Sequence, residues 1–161
     1  TVDETFDNIV AFWNPKEKPQ AGQELLLGYR LYWGAQPPVS SPLAHCVATR
    51  TGLGGVIGKK REVFSWRFAV DFAGGELGAL IDKADVEAVV HASAGGLETI
   101  SARPLRQING YRAMFDLVPP AGSTAQIDIR LYLRSGDKTL TETWLYQYTP
   151  PAAGARERTL Y

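Results

Sequence analysis

The sequence predicts an all-β chain, and three observations carry that expectation: alternating apolar residues, closely spaced turn signals and almost no helical periodicity. Between Glu24 and Trp33, the residues Leu25, Leu27, Tyr29, Leu31 and Trp33 fall on one face of an extended strand. Phe64, Trp66, Phe68, Val70 and Phe72 make a second such face. Tyr111, Ala113, Phe115 and Leu117 make a third, and Ile127, Ile129, Leu131 and Leu133 a fourth. Asn8–Trp13, Leu43–Arg50, Val86–Ser93, Leu97–Ala102 and Thr139–Tyr148 are further strand candidates. Gly74-Gly75, Gly95-Gly96, Asn109-Gly110, Ala121-Gly122 and Ser135-Gly136-Asp137 separate these runs. Asn-Gly and Gly-Gly favour the positive φ angles of tight hairpins. Only Glu76–Lys83 reads as a short helix. Such spacing indicates an antiparallel sandwich rather than βαβ units.

Two stretches break the pattern. Gln36-Pro37-Pro38-Val39-Ser40-Ser41-Pro42 holds three prolines, which cannot donate to a ladder, so residues 36–47 are expected to be a linker. The tail Thr149–Tyr161, with Pro150-Pro151 and Ala-Gly-Ala, is expected to be solvated and frayed. About seven strands follow Val47, the number in a complete immunoglobulin-like β-sandwich, so residues 48–161 are assigned to that domain. Residues 1–35 hold only two or three strands, too few to stand alone in water. They are expected to complete a sheet whose other strands lie elsewhere.

Composition narrows the function classes. The chain has 161 residues, with 17 basic residues balancing 17 acidic ones, so net charge gives no pull toward nucleic acid or an anionic membrane. With 45% hydrophobic residues and no long apolar run, it reads as globular without a transmembrane segment. Cys46 is the only cysteine, which excludes an intrachain disulfide. The opening Thr1-Val2-Asp3-Glu4 is too acidic for a signal peptide, so the chain is expected to start mature or to be cut from something longer. The four Trp and seven Tyr suit sheet surfaces, and equally suit stacking on sugar rings.

Few constellations suggest chemistry. His45 and Cys46 are strand neighbours and point to opposite faces, so no metal site is expected there. The run Thr51–Lys60 is glycine-rich but lacks phosphate-loop spacing, and reads as a flexible connector with a basic end. No nucleophile elbow is present. The acidic opening Asp3, Glu4 and Asp7 precedes the apolar Ile9–Trp13, beside Phe6, Phe12 and Trp13. It is either a solvated loop or a carboxylate at a strand entry, the kind of proton donor that polysaccharide cleavage needs. Tyr29, Arg30, Tyr32 and Trp33 are likewise either core and cross-strand pairs or a sugar platform.

Longer stretches carry a resemblance. Asp3-Glu4-Thr5-Phe6-Asp7-Asn8-Ile9-Val10-Ala11-Phe12-Trp13, then Pro19, Gly22 and Tyr29-Arg30-Leu31-Tyr32-Trp33, resemble the C-terminal part of the periplasmic osmoregulated glucan biosynthesis proteins G and D. So do Thr49-Arg50-Thr51-Gly52-Leu53-Gly54-Gly55, Arg61, Phe68–Gly75 and Trp144-Leu145-Tyr146-Gln147-Tyr148. The resemblance implies that residues 1–35 are the last strands of a larger β-sandwich module that carries a glucan cleft. It also implies a periplasmic location and a signal peptide in the precursor. The implied activity is on β-1,2-glucan, by an inverting hydrolysis in some members, without a cofactor. By the same resemblance Asp7 matches the general acid, with Glu4 supporting it and Asp3 the alternative. Trp13, Tyr29, Arg30, Trp33 and Arg50 are the candidate substrate contacts. The implied partners are β-glucan, the protein's own N-terminal module and an inner-membrane glucosyltransferase, with no nucleic acid. The competing expectation is a non-catalytic immunoglobulin-like domain that positions a glycosyltransferase or carbohydrate.

Overall fold

A computed structural model describes residues 14–35 and 38–160. The chain divides into two compact units, Thr1–Pro38 and Val39–Tyr161, and the division falls inside the proline-rich run.

In the first unit, residues 14–35 form neither strand nor helix. A turn at Gly22 (φ 80°) is closed by Gln23 N donating to Gln20 O at 3.0 Å. Beyond it, the alternating stretch Glu24–Trp33 has no ladder partner among the described residues, and Leu27, Tyr29 and Trp33 are 84%, 84% and 92% exposed. The expected strand is therefore not formed here, because a strand exists only when another strand takes its N–H and C=O groups. Asn8–Trp13 lies outside the described residues.

The second unit is a sandwich of eight strands: β1 (His45–Leu53), β2 (Trp66–Ala73), β3 (Glu87–Ala92), β4 (Gly96–Leu105), β5 (Gly110–Val118), β6 (Ile127–Ser135), β7 (Lys138–Thr139) and β8 (Trp144–Tyr148). One antiparallel sheet runs β1-β2-β5-β4, and the other pairs β3 with β6, whose far edge carries β7 and then β8. With β7 and β8 counted as one interrupted strand, this is the seven-strand order of a constant-type immunoglobulin domain. Both sheets obey the alternation read from sequence. Phe68, Val70 and Phe72 of β2, Phe115 and Leu117 of β5, and Ile127 through Leu133 on alternate positions of β6 are all buried. Phe68 stacks on Phe115 at 5.0 Å and meets Trp144, Tyr146 and Tyr148 edge-on, so aromatic packing joins the two sheets.

Several expectations change in detail. Ala44 is fully buried and β1 begins at His45, so residues 44–47 belong to the sandwich rather than to the linker. The Gly95-Gly96 turn joins strands of different sheets and is not a hairpin turn. Asn109 (φ 51°) closes a 3-10 turn, Arg106–Ile108, between β4 and β5. Gly110 follows because a Cβ there would lie 2.0 Å from the Phe72 carbonyl oxygen. The short helix is α1 (Leu77–Leu80), and Leu77 is fully buried.

The tail is the largest departure. It is not frayed through Leu160: Ala153–Glu157 forms helix α2, and Arg156 is only 6% exposed. Arg156 donates to Pro151 O at 2.6 Å, Pro120 O at 2.9 Å and Ser123 O, and lies over the Phe64 ring at 5.8 Å. One guanidinium thus satisfies three carbonyls that no ladder could reach. No helix among the described residues is long and apolar enough to cross a membrane.

Candidate functional site

Of the residues singled out from sequence, Glu4, Asp7, Trp13 and the alternative Asp3 lie outside the described residues. Tyr29, Arg30 and Trp33 lie together on the extended stretch of the first unit. There Arg30 NH1 donates to Tyr32 Oη at 3.3 Å, and the rings of Tyr29 and Trp33 face solvent. An exposed aromatic row beside a guanidinium has the chemistry that grips a sugar, which needs flat apolar faces and charged donors together.

Arg50 belongs to the second unit, on the outward face of the β1-β2-β5-β4 sheet. Its NH1 meets Asp71 Oδ2 at 2.5 Å, while Arg112 donates Nε to Asp71 Oδ1 at 2.6 Å and NH2 to Oδ2 at 2.9 Å. The three come from neighbouring strands, placed by the pairings Arg50↔Ala69 and Asp71↔Arg112. Asp71 is 3% exposed. Arg112 first, then Arg50, holds its carboxyl below the usual carboxylate range against the cost of burial, and Asp71 raises the Arg112 pKa in return.

A second node repeats the arrangement nearer the other end of the sheet. Arg67 grips Asp116 with Nε to Oδ1 at 2.6 Å and NH2 to Oδ2 at 2.7 Å, and Gly55 N donates to the same Oδ2 at 3.0 Å. This bidentate bond raises the Arg67 pKa. The glycine-rich stretch, expected to be a flexible connector, is therefore tied down at its base. Gly54 is required there, since a Cβ would stand 2.3 Å from Ser65 Oγ and 2.9 Å from Asp116 Cγ. Its tip stays free of the core: Val56 and Ile57 are 59% and 98% exposed.

Sequence reading passed over Asp71 and Asp116. The available signal was an aspartate at an outward strand position, with arginines at outward positions of adjacent strands. Chemically both carboxylates are spent. An aspartate held ionised by two guanidiniums is a poor proton donor near neutral pH, and both oxygens of Asp116 are already taken. Among the described residues no three His, Cys, Asp or Glu side chains gather as metal ligands. Tyr148, buried against Trp66 and Phe68, has its phenol pushed up to about 12 by burial and stays neutral.

Comparison with known proteins extends past this unit. Residues 1–148 match the family model of the periplasmic glucan biosynthesis protein MdoG. The whole chain is 83% identical over 161 residues to glucans biosynthesis protein D of Stenotrophomonas maltophilia strain K279a, and covers 30% of that protein. It is 74% identical over 158 residues to the protein of the same name from Xanthomonas axonopodis pv. citri strain 306, again covering 30% of it. The chain spans about a third of the length of these curated relatives.

Proposed function

The chain belongs to the periplasmic glucan biosynthesis protein family, and on that premise we propose that it is the C-terminal part of a periplasmic protein that acts on β-1,2-linked glucan. One observation carries the reading: the family match runs unbroken through both units, from the acidic opening at residues 1–7 to the end of β8. The strip before the prolines supports it. Leu25 to Trp33 keeps the alternation of a strand while finding no ladder partner among the described residues, as expected of strands whose sheet is completed by the rest of the protein.

In this reading Asp7 protonates the glycosidic oxygen, Glu4 supports it, and Trp13, Tyr29, Arg30 and Trp33 hold the sugar rings. Inversion demands a second carboxylate that activates water from the opposite side, about 6.5–9.5 Å from the first. The buried aspartates of the sandwich, locked to arginines, do not qualify, so that base is assigned to the portion preceding this chain. In this reading Arg50 serves as the structural partner of Asp71, with which it forms an ion pair.

Asp7→Asn in the full-length protein tests this. Release of reducing ends from β-1,2-glucan is expected to fall by about 10²–10⁴-fold, the span of general acid catalysis, with an unchanged thermal midpoint. Retained cleavage, or an equal loss only in Asp3→Asn, overturns the choice of Asp7. A second reading is favoured by the spent carboxylates: the sandwich is a non-catalytic domain that positions a glucosyltransferase or its carbohydrate.

A further inference from the structure

The outward face of the other sheet carries groups that nothing above uses. Because Ile127, Ile129, Leu131 and Leu133 point inward, the intervening Asp128, Arg130, Tyr132 and Arg134 must point outward. The pairings Val89↔Tyr132, His91↔Arg130 and Arg130↔Leu145 put the corresponding residues of β3 and β8 on the same face. At one end Arg134 is satisfied by Glu87 at 3.0 Å, and at the other Asp128 accepts from Gln126 at 3.1 Å and Gln147 at 3.3 Å. Between these ends, the side chains of His91, Arg130, Tyr132 and Thr143 make no hydrogen bond or ion pair with the described residues. All four line one cavity of about 290 Å³, floored by Val89. A neighbouring cavity of about 480 Å³ shares Arg130 and runs on past Asp128, Leu145 and Gln147.

We propose that this trough binds a stretch of neutral glucan chain on the sandwich itself. The inference rests on the glucan reading for the class of ligand, and on the trough for its place. A pyranose ring presents an apolar face and a rim of hydroxyls. It is matched by one phenol ring and an aliphatic floor, with a guanidinium, an imidazole and a hydroxyl free to bond around it. Arg130 is balanced along the trough by Asp128, so the surface is not built for a polyanion. Binding at this face would hold a long polymer on the protein without taking part in bond cleavage.

The test is affinity electrophoresis of the full-length protein through gels containing β-1,2-glucan, for the parent and for Arg130→Ala with Tyr132→Ala. Both side chains are outward, so the thermal midpoint is expected to be unchanged; Arg130→Gln alone serves if the pair destabilises the fold. Retention of the variant is expected to weaken about ten-fold, as for loss of one charge-assisted hydrogen bond. Cleavage of a short soluble oligosaccharide is expected to stay at the parent rate. Unchanged retention overturns the trough while leaving the glucan reading intact. Retention by dextran sulfate in place of neutral glucan also overturns it. A parent protein that neither cleaves nor is retained by glucan removes the premise along with the proposal.

Discussion

Asp71 illustrates how a residue can look like a catalyst and serve as a fastener. Its carboxylate is buried among three strands and neutralised by two arginines that remain partly exposed, Arg112 at 36% and Arg50 at 60% of their side-chain surface. A depressed folded pKa contributes stability that is complete above the unfolded aspartate value, about 3.9, and fades as pH falls toward the folded value. Asp71→Asn is accordingly expected to cost about 2 kcal/mol at pH 7, discounted for the exposed arginines. The gap between variant and parent should close as pH falls below about 4. Urea denaturation at pH 7 and pH 3 checks both statements, and a pH-independent difference would count against them. This role was hidden in the sequence because Arg50, Asp71 and Arg112 are far apart along the chain, and only strand register brings them together. Arg50, a candidate sugar contact by resemblance, is paired with Asp71 on the outward face of the sheet and keeps 60% of its side-chain surface exposed.

Two elements depend on connections that alternation does not reveal. Thr139–Tyr148 reads as a single strand, but the ladder breaks between β7 and β8. At the break Leu140 O accepts from Ala44 N at 3.0 Å and Glu142 N donates to Ala44 O at 2.8 Å, while Glu142 Oε1 takes the Cys46 N–H at 2.8 Å. Here the segment stitches the edge of the other sheet, while Leu140 N still donates to Leu133 O of β6 at 2.9 Å and Thr141 Oγ1 accepts from Leu133 N at 3.0 Å. Helix α2 is similar. With only five residues it has no independent stability, and Arg156 supplies the hold. Arg156→Ala removes a buried guanidinium and its hydrogen bonds to three carbonyls, and is expected to lower stability by about 2 kcal/mol. Arg156→Lys should recover little of it, since an ammonium lacks the planar fork. Hydrogen exchange across residues 152–160 should accelerate in step with the loss of stability, and a silent variant would show that the tail is merely laid on the surface.

The molecule as a whole is two parts of unequal independence. The unit from Val39 onward has its own aromatic core and a docked tail. The stretch before the prolines exposes leucines and rings that a soluble domain would ordinarily cover. A chain beginning at Val39 is therefore expected to fold by itself in a single cooperative transition, its thermal midpoint within about 3 °C of that of the 161-residue chain. Calorimetry of the two decides the matter; a large drop would mean that residues before Val39 support the sandwich.

The sequence by itself determined the all-β class and which faces of β2, β5 and β6 are buried. Alternation and turn chemistry are local properties, written within a few residues of where they act. The tertiary structure alone decided the pairing of Asp71 and Asp116 with arginines, the stitch at Ala44, the clasp of Arg156 and the open trough around Arg130. Each depends on residues distant in sequence that meet only once register is fixed. The same reason accounts for Leu25–Trp33. Its pattern announces a strand, but a strand is completed by its neighbour, and among the described residues that neighbour is absent.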